Sequence, residues 1–129
     1  MKKLFIWILF FIGGCNAYAQ NTRFRTDTLK NKAQQVSTGY AIPHLINITN
    51  APNTTFDTVV YIKFYDQSTR PFSTSVPVLT ICVPQGTTSL LMNQNIRFNN
   101  AMWIRQSKSG TDNDTTVHVS SEPIVEITY

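Results

Sequence analysis

Apolar residues recur at every second position in short runs along this chain, and that period limits what it can fold into. In 58–65, Val60, Ile62 and Phe64 fall on one side, with Val59, Tyr61 and Tyr65 on the other. In 78–83 the shared side carries Leu79, Ile81 and Val83; in 124–129 it carries Val125, Ile127 and Tyr129. Successive side chains of an extended strand point to opposite faces, so a period of two reads as β-structure. Past the first twenty residues no helical period competes. Val, Ile, Thr, Tyr and Phe dominate there, the residues that suit a pleated, half-buried surface.

Turn-forming clusters such as Asn50-Ala51-Pro52-Asn53 and Pro84-Gln85-Gly86 separate the runs. Further strands are expected at 38–49, 89–92, 96–98, 101–106 and 117–119. In 38–49, Tyr40, Ile42, Ile46 and Ile48 should share a face, with Pro43 marking a bulge or an edge. The run 58–65 is apolar on both sides, which predicts a central strand. Polar loops are expected at 68–75 and 107–116. Seven or eight strands without crossover helices predict an all-β fold, an antiparallel two-sheet sandwich of jelly-roll or Ig-like type.

The chain opens differently. Lys2 and Lys3 precede an unbroken apolar run from Leu4 to Ile12, and Ala17-Tyr18-Ala19 supplies a small-x-small cleavage pattern. As a helix that run would span only ~14 Å, against a hydrocarbon core of ~30 Å. The division expected is therefore a signal peptide at 1–19, an N-terminal arm at 20–37 and a sandwich domain at 38–129. The Tyr18-Ala19-Gln20 ending resembles secretory signals of Bacteroidetes-type bacteria. A competing reading takes Ile12-Gly13-Gly14-Cys15 as a lipobox with Cys15 lipidated. A membrane association is expected only if Cys15 is lipidated or the signal is retained.

Removing Lys2 and Lys3 from eleven basic residues leaves nine against seven acids, about +2. Those nine are scattered, which argues against a nucleic-acid surface. The locally basic stretch between Arg23 and Lys32 reads as a solvated arm. Without Cys15, Cys82 has no internal disulfide partner; in an apolar run it reads as a small buried hydrophobe.

Catalytic signatures are missing. His44 and His118 stand apart from other metal ligands, against the paired spacings a zinc site needs. No Gly-x-Ser-x-Gly elbow occurs. Asp112-Asn113-Asp114 could offer oxygens to Ca²⁺ but lacks the remainder of an EF-hand loop and reads as a charged hairpin tip. Glu122 and Glu126 are expected to face water. No metal, cofactor or catalytic residue is therefore expected. Trp103 and Arg105 alternate with Met102 and Ile104, which places Trp103 in a second core layer or on a binding face.

The segments PVLTICVPQGTTSL and IRFNNAMWIRQSK, the Asp-Asn-Asp loop and the final IVEITY resemble, in strand-and-turn cadence, small β-sandwich proteins of bacteriophages. The resemblance covers 40–129 and implies a virion-surface, head-decoration or fibre-like role. The function expected is thus a non-enzymatic, exported structural or attachment module working through protein partners or self-assembly. The alternative is a periplasmic or cell-surface module binding glycan or protein. Its expected binding surface comprises Trp103, Tyr61, Tyr65, Arg70, Asp112 and Asp114.

Overall fold

The computed structural model describes residues 21–27, 29, 32–52, 59–92, 95–112, 116 and 123–129. The signal peptide expected at 1–19, with Cys15, and Asp114, His118, Glu122 and the strand expected at 117–119 lie outside them. Eight strands form: β1 (Arg23–Thr26), β2 (Gln34–Gln35), β3 (Leu45–Asn50), β4 (Val60–Asp66), β5 (Leu79–Val83), β6 (Thr87–Met92), β7 (Met102–Ser107) and β8 (Ile124–Thr128). Among the described residues there is no helix.

The strands make two four-stranded sheets. The first has the order β1-β8-β3-β6 and the second β2-β7-β4-β5, every pairing antiparallel. The order has a simple origin. First strand pairs with last, second with seventh, third with sixth, and fourth with fifth, as in one long folded-back ribbon. Adding β3 to β8 and β4 to β7 rolls that ribbon into two sheets. This is the jelly-roll member of the expected pair of architectures, with β4 inside its sheet as the two-sided run predicted.

Register carries the alternation across each sheet. Phe24, Ile127, Ile46 and Leu91 make one inward row of the first sheet. Val60, Ile62 and Phe64 face them from β4, with Ile81 and Val83 from β5 and Met102 and Ile104 from β7. The Phe64 and Phe98 rings meet in this core, centroids 6.4 Å apart and tilted by 46°. Asn50 is the polar member at one end: its Nδ2 donates to Val83 O at 3.0 Å, tying the two sheets together. The link from β5 to β6 crosses between sheets by a tight turn closed by Thr87 N–H on Pro84 O. Gly86 takes a φ of 71° there, a conformation side chains resist.

Several expectations change. Within the arm expected at 20–37, Arg23–Thr26 and Gln34–Gln35 are strands β1 and β2 of the two sheets. Phe24 faces inward, while Arg23 and Arg25 face out and both bond Glu126, at 3.1 and 2.7 Å. Arg23 and Arg25 thus form an outward ion-paired row with Glu126. Burial pushes the Glu126 carboxyl up, but Asn47, Arg23 and Arg25 outweigh it and hold the group below its ordinary range.

The strand expected from residue 38 begins only at Leu45. Pro43 has no N–H to give a ladder, and the inward phase shifts across it: Ala41 and Pro43 are buried, then Ile46 and Ile48, while Tyr40 is exposed. Ala41 and Phe98 instead form an isolated bridge, each N–H donating to the other's carbonyl at 2.9 Å. Cys82 is exposed rather than buried, since it points outward from β5, an edge strand.

Asp66, at the end of β4, accepts the backbone N–H groups of Asn99 and Asn100 at 2.9 and 2.8 Å and so fixes the approach to β7. Burial pushes its pKa up, yet these bonds and the Asn100 amide win, and the carboxyl sits below its ordinary value. A depressed carboxylate contributes stability above the unfolded pKa of about 4, lost as pH falls through the folded one. Asp66→Asn should therefore lower the melting temperature at pH 7 and converge on the parent in acid. A constant offset across a pH series of thermal melts would contradict that role. In the core, Phe64→Ala should cost about 3–5 kcal/mol in urea denaturation.

Candidate functional site

The outward face of the second sheet is where the chain's polar and aromatic chemistry collects. Strand alternation turns Tyr61, Lys63 and Tyr65 of β4 away from the core, beside Ser107, Arg105 and Trp103 of β7 as their cross-strand partners. A sheet face turned from the core is usually solvated. This one is not. Lys63 is 0% exposed, Tyr65 1% and Arg105 6%, because two loops fold back over them.

The segment after β4 makes one cover. Gln67 O accepts the Trp103 indole Nε1–H at 3.0 Å, and Arg105 reaches the next part of the loop. Its Nη2 donates to Pro71 O at 2.5 Å and its Nη1 to Phe72 O at 3.4 Å. The segment after β7 makes the other. Lys63 Nζ donates to Thr111 O, and Ser107 Oγ to Ser109 O at 2.6 Å. Gly110 lies flat on the Tyr61 ring; a Cβ there would approach the ring to 3.2 Å. Two buried cations thus hold down loop backbone through its carbonyls, and charge-assisted bonds of this kind are the stronger ones.

The Arg105 guanidinium carbon stands 5.7 Å from the Tyr65 ring centroid, close enough for a cation–π contact. Burial pushes the Tyr65 phenol up in pKa, against the pull of the Arg105 charge, and the Asp112 carboxylate adds to the rise. Electrostatic interaction and hydrogen bonding with Cys82, the cross-strand partner of Tyr61 on β5, push the Tyr61 phenol up in pKa.

Of the expected binding surface, Trp103, Tyr61 and Tyr65 do share one face. Tyr65 is buried and so cannot serve as an exposed platform; Trp103 and Tyr61 are half-buried. Trp103 therefore belongs neither to the core between the sheets nor to an open face. Arg70 and Asp112 are exposed on the two covering loops. The sequence pattern put Lys63 and Arg105 on the outward side, but it carried no sign that they would be covered. Their carbonyl partners belong to loop backbone, which composition does not reveal. His44 is exposed, and the described residues bring together no group of three metal-ligating side chains.

No family model and no curated protein matches the chain. A solved structure from work on Bacillus endospore appendages, a family of disulfide-linked pili, is similar over 90% of this chain and 95% of that one. Identity is 19% and the TM-score 0.41, a level at which the likeness fixes neither topology nor function.

Arg105→Ala removes two charge-assisted bonds to one loop. It should cost about 1.5–3 kcal/mol in chemical denaturation and open the segment around 68–75 to limited proteolysis. Unchanged cleavage there would show that the loop is held by something else.

Proposed function

We propose that this chain is a non-catalytic, exported structural module that works by associating with further copies of itself through one side of its sandwich. The observation that carries this reading is the distribution of exposed apolar side chains. Phe72, Val76 and Val78, on the segment entering β5, and Leu90 and Met92, on β6, are all more than half exposed. Because β5 and β6 are the edge strands of their two sheets and are joined by one tight turn, they lie on the same side. That side combines apolar surface with two strand edges, the features that template further pairing.

The strand count favours a second copy as the partner. Four antiparallel strands per sheet leave the two edges of each sheet running in opposite directions. A neighbour's β1 can therefore continue the alternation beyond β6, and its β2 beyond β5. Such a head-to-tail contact either closes a ring or extends as a fibre. Each contact can be weak, since multiplicity supplies the avidity. Residues 1–19 act as the export signal in this reading. A virion-surface or fibre setting, as the phage resemblance implies, is one place for such a module.

Sedimentation velocity and electron microscopy on the purified chain test the proposal. Concentration-dependent oligomers are expected, and the pair Leu90→Lys and Met92→Lys should abolish them with an unchanged β circular-dichroism spectrum. A parent chain that stays monomeric throughout, or a double variant that still assembles, would overturn the reading.

A further inference from the structure

The loop between β4 and β5 is built unlike an ordinary loop. Its tip carries Phe72, at 71% the most exposed large hydrophobic among the described residues, with Val76 at 67% close behind. Loops usually place polar residues at a mobile tip. Here the tip is apolar and its backbone is fixed. Phe72 N–H donates to Ser75 Oγ at 3.0 Å, and Ser75 N–H returns a bond to Phe72 O at 3.2 Å. Arg105 Nη1 donates to that same carbonyl, and Nη2 to the carbonyl of Pro71, which is itself buried. Gln67 N–H on Ala101 O and Val78 N–H on Phe64 O secure the two ends, at 3.1 and 2.8 Å. Displaying a phenyl ring to water contributes nothing to the stability of a single copy. Fixing its backbone beforehand does remove an ordering cost from a later contact.

Charge indicates the partner. From Pro71 to Ile96 the chain has no acidic, basic or histidine residue, so the loop from Pro71 onward, β5 and β6 are all uncharged. Exposed edge strands are ordinarily blunted by charge, and these two are not. Over the whole chain basic residues outnumber acidic ones, 11 to 7, so two copies repel through their charged surfaces and least through this one. A partner recognised by charge would find nothing here to grip. The loop also runs straight into β5, an edge to which a neighbour's strand can add.

We propose that the 67–78 loop is a preorganised docking element for a second copy of this chain, with Phe72 as its anchor and Ser75 as the residue that positions it. This rests on self-association through the β5–β6 side and identifies the segment that makes the contact. Phe72 leaves water on docking, and the pinned turn presents its ring in one orientation.

Sedimentation velocity on the full chain tests this, with sodium chloride raised from about 0.1 to about 1 M to screen ionic contacts. Phe72→Ser should weaken association about tenfold or more and leave the thermal melt of the single copy unchanged, since the ring is exposed. Ser75→Ala leaves every apolar group in place and should weaken association about three- to tenfold; Ser75→Thr, which keeps the hydroxyl, should restore it. Salt should leave the parent's association undiminished. Association at parent strength in Phe72→Ser or in Ser75→Ala would overturn the assignment, as would dissociation in high salt. If Leu90→Lys with Met92→Lys is then monomeric, self-association through the β5–β6 side still stands. A monomeric parent overturns both.

Discussion

The pairings of β3 with β8 and of β4 with β7 hold this molecule in its shape, because they turn a ribbon into two stacked sheets. Each joins strands far apart in sequence: Ile46 meets Ile127, and Phe64 meets Ile104. Loop-closure entropy is lost before such contacts give anything back, so the topology should fold slowly for its size. The inward rows explain why it is nevertheless specified. Slipping β8 by one residue against β3 would turn Val125 and Ile127 outward and bring Glu126 into the core. The Glu126 bonds to Arg23, Arg25 and Asn47 on the outer face reinforce the same register.

The two sheets treat their outer faces in different ways. The first leaves its ion pairs and a margin of apolar side chains in solvent, whereas the second draws two loops over Lys63, Arg105 and Tyr65. Covering a cationic face is an expensive way to build a sandwich, since a hydrophobic filling would avoid the desolvation of charge. What the cations add is directional grip: the fork of Arg105 binds adjacent carbonyls and thereby selects one loop conformation. The edge side and the covered face are consequently different instruments, one presenting surface and the other withholding it.

Legibility in the sequence follows the same division. Runs in which alternation persists, such as Val60-Ile62-Phe64 or Leu79-Ile81-Val83, announced strand, phase and inward face together. The short edge strands did not: β2 spans only Gln34 and Gln35 and has no period to read. In Arg23-Phe24-Arg25 a single inward aromatic was the one available sign, and the flanking charges masked it. Trp103, Tyr61 and Tyr65 could be grouped from their phase, but their neighbourhood depends on register between distant strands. Cys82 misled because its flanks, Ile81 and Val83, are core residues while its own side of an edge strand is open.

The ends of the described chain also meet. Thr22 and Tyr129 exchange both backbone hydrogen bonds, at 2.8 and 2.9 Å, and the Tyr129 hydroxyl donates to Val36 O at 2.6 Å. Since β1 and β8 run antiparallel from that point, tension applied between Thr22 and Tyr129 acts across the ladder, peeling its bonds one after another. Tension entering through β5 or β6 along their length would instead shear many bonds at once. The molecule is thus mechanically anisotropic: soft when pulled by its ends, stiff when loaded along the strands of its opposite side.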